Sequence, residues 1–154
     1  QPVNLSMRQG DEIVYIERAY SERSGMQVVR AIGGRAPLHL TSVGKLFLVE
    51  DGLQKLREYA KRTGLPGFTP TSLTTLPALE KELDRVRRHG IAFDNEEIEQ
   101  GLRCIAAPVR DDSGELVAGL SVSAPAERYD AEWIPLIKQA ADNISHALGH
   151  IPKK

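Results

Sequence analysis

The chain has 154 residues, enough for one domain that can bury roughly 68–70% of its unfolded surface. Charged residues make up 27%, hydrophobic ones 41%, and the net charge is −1, so neither the basic excess of a nucleic-acid binder nor an acidic tail is present. The single cysteine excludes an internal disulfide and suits a reducing, cytoplasmic setting, and no apolar run is long enough to span a bilayer.

Residues 1–154 are expected to form one domain. The chain opens at Gln1 directly on strand-like sequence, which is the expectation for a piece of a longer protein cut at a domain boundary. Val3 to Arg8 and Glu12 to Ala19 flank Gln9-Gly10-Asp11 and read as a hairpin, with Val3, Leu5, Val14 and Ile16 as its alternating apolar positions. Gly25 to Ile32 reads as a third strand, ended by Gly33-Gly34. Thr41 offers a side-chain cap to a helix from Ser42 to Glu50. A second helix, Leu53 to Arg62, carries Leu53, Leu56 and Ala60 on one face and stops at Gly64.

Leu65 to Ser72, with Pro66, Gly67 and Pro70, reads as loop. Thr75 and Pro77 open a third helix with Leu76, Leu79, Leu83 and Val86 as its stripe and Gly90 as its terminator. Ile91 to Asp94 is a short strand. Leu102 to Val109 and Leu116 to Ser123 then form a second hairpin around Asp111-Asp112-Ser113-Gly114.

A four-residue closure of that hairpin sets Arg110 opposite Glu115 as a cross-strand ion pair, Cys104 opposite Ser121, and Leu102 opposite Ser123. One face then carries Ile105, Ala107, Val109, Leu116, Ala118 and Leu120, an ordinary apolar core. The other carries Cys104, Ala106, Gly119, Ser121 and Ser123, which is small, lightly polar and roomy enough for a small ligand. Asp130 is expected to cap a last helix carrying Trp133, Ile137, Ala140, Ala141, Ile144 and Leu148. Hairpins outnumber crossovers, so the expected class is α+β, an antiparallel sheet flanked by helices.

Pro37 to Lys45 leads a loop into a helix start, where unpaired amides and the helix dipole can hold a carboxylate; on spacing alone the plainer reading is a capped helix with Lys45 in solvent. Gly44-Lys45 is not a Walker loop. The acidic run Asp94 to Glu99 reads as a solvated loop. His39, His89, His146 and His150 lack ligand spacing, and Asp94 with Cys104 supplies at most two ligands, so no metal and no cofactor is expected. Cys104 has no local base, and a buried thiol is expected rather than a catalytic nucleophile. Arg85, Arg87, Arg88 and His89 near a helix end suit its dipole, with an Asp84–Arg88 pair, better than they suit DNA.

Three stretches, in order, resemble the effector-binding domain of IclR-type bacterial transcriptional regulators. They are Pro37 to Lys45, Arg88 to Glu97 running into Gly101 to Val109, and Ser121 to Pro125 with the closing Ile144 to Gly149. The resemblance implies a GAF-like/profilin-like α+β sensor domain, not an enzyme, that binds a small effector, commonly a carboxylate or aromatic acid. It implies a homodimer or homotetramer, and DNA binding only through an N-terminal winged helix-turn-helix that nothing in this chain resembles. Repressor and activator roles both stay open. By matching position, ligand binding falls to the backbone amides of Ser42 and Val43 and the side chains of Asp94, Cys104, Ser121 and Ser123. Ser42 and Val43 stand where some members have glycine and alanine, and Leu46 and Val49 replace common alanines, which reshapes the pocket and leaves the ligand's identity open. The other readings are an enzyme using Cys104 as nucleophile and a ligand-free oligomerisation module.

Overall fold

The computed structural model describes residues 3–19 and 33–151. The expected strand from Gly25 to Ile32 lies outside the described residues. In chain order the elements are β1 (Val3–Gln9), β2 (Glu12–Ala19), β3 (Arg35–Pro37), a 3-10 turn (Leu38–Leu40), α1 (Ser42–Asp51), α2 (Leu53–Thr63) and α3 (Leu76–His89). They continue with β4 (Ala92–Asn95), β5 (Leu102–Arg110), β6 (Leu116–Pro125), a second 3-10 turn (Ala126–Arg128) and α4 (Trp133–Ala147). The strands form one sheet in the order β3-β2-β1-β6-β5-β4, every neighbouring pair antiparallel. This is the α+β architecture that the hairpins imply. No described helix is long and apolar enough to cross a membrane.

Each face of the sheet has its own core. One packs Leu38, Leu40, Val43, Leu48, Leu79 and Leu83 of the α1–α3 side against Ala92 and Ala106. The other packs Ile105, Val109 and Leu120 against Ile137 and Ala141 of α4. The helix ends follow local chemistry. Thr41 Oγ1 accepts from the Gly44 amide and Thr75 Oγ1 from the Ala78 amide, while Gly64 and Gly90 close α2 and α3 in the left-handed conformation.

Several local expectations change in the tertiary setting. The β5–β6 hairpin pairs Cys104 with Ser123 and Ala106 with Ser121, two residues along from the expected register. A shift of two preserves the faces as far as Val109 and Ala118, because side chains alternate with a period of two, but Leu116 beyond them changes sides and joins the α1–α3 core. The connection takes up one residue of the slip, setting Arg110 opposite Leu116, and an irregularity between Val109 and Arg110 takes up the other; the Arg110 guanidinium meets Glu50 at 2.6 Å instead of Glu115. In β1–β2 a bulge leaves Ile16 unopposed and 38% exposed, and it turns Ile13 inward.

On α2, Tyr59 takes the inward place expected for Leu53, which is 48% exposed. Asp130 closes the turn before α4 by accepting from the Glu132 amide, and it does not cap the helix. Asp84 pairs with Arg87 at 2.6 Å, and Arg88 reaches only the Asp84 carbonyl.

Two glycines bring α1 down onto the sheet. A Cβ on Gly119 would lie 2.6 Å from the Val43 side chain, and one on Gly44 would lie 2.2 Å from the Leu38 carbonyl oxygen. The first turn of α1 therefore rests directly on β6. Gly119→Ala is expected to cost about 1–3 kcal/mol through overpacking, and Val43→Ala in the same chain should recover most of it. Denaturant unfolding of the two single variants and the double variant measures this, and additive losses would contradict the contact.

Candidate functional site

The polar face of the sheet is built by pairing. Asp94 on β4 stands opposite Cys104 on β5, and Cys104 stands opposite Ser123 on β6. The Cys104 sulfur lies 3.2 Å from the Ser123 hydroxyl, and the Asn4 amide donates to that hydroxyl at 3.4 Å. Ser121 lies on the same face, opposite both Ala106 on β5 and Asn4 on β1. Val43 above Gly119 places the start of α1 over the same face of β6. Ser42 and Val43 sit in the first turn, where no preceding helical carbonyl reaches their amides.

Lys45 departs most from its sequence reading. Instead of lying in solvent it is fully buried, with Nζ 2.9 Å from Glu97 Oε2, 3.3 Å from Glu82 Oε2 and 2.6 Å from the Phe93 carbonyl oxygen. The acidic run after β4 is likewise not a solvated loop. Asp94 and Glu97 are 1% and 2% exposed, Glu97 Oε2 also accepts from the Asn95 amide, and the Glu97 amide donates to Asp94 Oδ1 at 2.8 Å. Thr69 and Ser72 pin this turn from outside by donating to the carbonyls of Glu96 and Glu97.

Burial pushes the Asp94 carboxyl up to about 7. The bond from the Glu97 amide pulls against that rise, the Glu97 charge adds to it, and the Lys45 charge opposes it. Near neutral pH the Asp94 carboxyl can thus act as donor or acceptor.

His39 is buried beneath α1, with Nδ1 2.8 Å from the Tyr59 hydroxyl and Nε2 2.8 Å from the Pro66 carbonyl oxygen. Burial lowers its pKa and raises that of Tyr59 to about 12. A neutral imidazole donating from Nε2 and accepting at Nδ1 satisfies both contacts. His39 ties the 3-10 turn to α2 and is a structural group.

The structure brings together Asp94, Cys104 and Ser123, with Ser121 beside them, and sets the Ser42–Val43 turn over the same face. Asn4 joins them without having been singled out in the sequence, and Lys45 and Glu97, read there as solvent-facing, lie buried beside Asp94. A lone lysine within the apolar Val43–Val49 run was the available signal for Lys45. For Asn4 the signal misleads, since Val3-Asn4-Leu5 alternation suggests a solvent-facing polar side.

An antiparallel sheet carrying helices on both faces, with small polar side chains under a helix start, defines a ligand-sensing regulatory domain. The chain belongs to the IclR family: the model of the bacterial transcriptional regulator IclR C-terminal domain matches residues 1–146. The HTH-type transcriptional repressor AllR of Klebsiella pneumoniae is 38% identical over 157 aligned residues, covering 99% of this chain and 57% of that protein. This chain therefore spans little more than half the length of that relative.

Among solved structures, the C-terminal domain of the Escherichia coli transcriptional regulator KdgR is similar at a TM-score of 0.84 and 35% identity, covering 97% of this chain and 88% of that one. A double mutant of the inducer-binding domain of PobR from Acinetobacter, in complex with 3-hydroxybenzoic acid, gives a TM-score of 0.85 at 26% identity, covering 94% and 87%. These relatives are transcriptional regulators, which places the chain with effector-binding regulatory domains and not with enzymes.

Lys45→Met leaves Glu97 buried without its cation, so a loss of about 3–5 kcal/mol is expected in denaturant unfolding. An unchanged midpoint would show that the ammonium of Lys45 does not balance Glu97. The folded chain holds a proton on Asp94 that the unfolded chain releases. Its contribution to stability therefore falls as pH rises from the ordinary carboxyl value of 3.8 through about 7. Asp94→Asn should accordingly melt several degrees above the parent at pH 8, and the gap should narrow at pH 5. An equal gap at both pH values would contradict the raised pKa.

Proposed function

We propose that this chain is the effector-sensing and oligomerisation part of a transcriptional regulator that works in the cytoplasm. Its effector is a small organic acid, aliphatic or aromatic. The observation that carries this reading is the row Asp94–Cys104–Ser123, with thiol and hydroxyl 3.2 Å apart, on the sheet face against which Val43 of α1 packs at Gly119. The effector carboxylate sits on the amides of Ser42 and Val43, where helix-start donors and the dipole favour an anion. Ser121, Ser123 and Cys104 serve its remaining polar atoms.

Asp94 selects a hydroxyl on the effector. When ionised it accepts that hydroxyl's proton in a hydrogen bond, and it repels a second carboxylate. The AllR repressor and the PobR complex with 3-hydroxybenzoic acid are the precedents among relatives. Operator DNA is bound by an N-terminal winged helix-turn-helix of the whole protein, which assembles as a homodimer or homotetramer. The effector changes operator affinity only by the difference in its own affinity for the two subunit arrangements.

Calorimetric titration of the chain with lactate, glycerate, benzoate and 3-hydroxybenzoate tests the pocket. Hydroxy acids are expected to bind more tightly than benzoate. A Ser121→Ala/Ser123→Ala double variant should bind the best of them about tenfold more weakly, the loss of two modest hydrogen bonds. Unchanged affinity in the double variant would end this reading.

A further inference from the structure

Ser6 on β1 is fully buried, and its hydroxyl meets no hydrogen-bond partner among the described residues. Its direction follows from the register. Ser6 stands opposite Gly119 and Asn4 opposite Ser121, and directly opposed residues point to the same side of a sheet. That side is the one on which a Gly119 Cβ would strike Val43 and on which Asn4 donates to the Ser123 hydroxyl. Ser6 therefore aims an unsatisfied hydroxyl at the face covered by the start of α1, beside the row that carries Cys104, Ser121 and Ser123.

A buried hydroxyl without a partner is destabilising, whereas alanine or valine at the same place would pack without that penalty. Most buried polar groups find a partner, so an exception calls for one that is absent from the chain itself. The neighbours of Ser6 on this face are uncharged at Asn4, Tyr15, Ser121 and Gly119, and the charge of Arg8, two residues along β1, is taken up by Asp51 at 2.6 Å. They suit a neutral polar group and offer nothing to balance an ion.

We propose that the ligand site extends across β6 onto β1, and that Ser6, supported by Asn4, is a specificity-determining residue that hydrogen-bonds a second, uncharged polar group of the effector. This rests on the proposed sensor function and narrows its substrate class. The effector is an acid bearing an uncharged hydroxyl or amide close to its carboxylate. Ser6, opposite Gly119, lies on the part of the face that Val43 covers, so the group it reads is next to the carboxylate held at the start of α1.

The test titrates the parent chain, Ser6→Ala and the Ser121→Ala/Ser123→Ala variant with pairs of acids that differ by one hydroxyl. The pairs are lactate against glycerate and 3-hydroxybenzoate against 3,5-dihydroxybenzoate. Ser6→Ala is expected to weaken the hydroxyl-richer member of the bound pair about tenfold and leave the other within about twofold. Without ligand, Ser6→Ala should melt at or above the parent temperature, because an unpartnered hydroxyl has been removed.

A lower melting temperature would mean that Ser6 has a structural partner, and equal effects on both acids would mean that it reads no hydroxyl. Either result overturns the proposal while loss of binding in the Ser121/Ser123 variant leaves the sensor reading standing. If that double variant also binds unchanged, the sensor reading itself falls.

Discussion

The buried ammonium of Lys45 is the constraint on which the rest of this domain depends. A charge taken wholly out of water is tolerated only where acceptors surround it, and in this domain they come from three places: Glu82 on α3, the Phe93 carbonyl on β4 and Glu97 in the turn beyond it. Such a cluster adds little net stability, since desolvation offsets most of the attraction. What it contributes is geometry. Each acceptor has to arrive within hydrogen-bond distance, so the azimuth of α1, the position of α3 and the path of the chain after β4 are set together.

That shared geometry reaches the ligand face through two short connections. Lys45 holds Glu97, and the Glu97 amide holds the Asp94 carboxylate. One turn earlier on the same helix, Val43 rests on Gly119. Both ends of the polar row, the carboxyl on β4 and the helix start over β6, are thus referred to one helix. A displacement of α1 on ligand binding would disturb the ion cluster and the packing on β6 at once, which is the kind of bistable coupling a sensor requires.

The face opposite the polar one is conventional by comparison. Ile105, Val109 and Leu120 pack on Ile137 and Ala141 with no buried charge to orient them. Oily packing of this sort tolerates small rotations of α4, whereas the cluster under α1 does not. The two faces divide the work: α4 stabilises the sheet, and α1 with α3 covers its polar side. Tyr59, His39 and the Pro66 carbonyl extend the shaped side by joining α2 and the following loop to the segment that enters α1.

Much of this was legible in the chain as written. The caps at Thr41 and Thr75, the stops at Gly64 and Gly90, the hairpins and the α+β class follow from interactions within a few residues, which local sequence encodes completely. The small polar face carrying Cys104, Ser121 and Ser123 was also legible, because strand alternation survives a two-residue change of register. What only the tertiary structure decided are the matters that depend on partners far along the chain. These are the burial of Lys45 with Glu97, the raised pKa of Asp94, the turning of Asn4 and Ser6 toward the interior, and the exchange of Glu115 for Glu50 beside Arg110. Charge and polarity predict exposure only on average. Whether a given lysine, aspartate or serine stays in water is settled by which groups, dozens of residues away, the fold brings within hydrogen-bond distance of it.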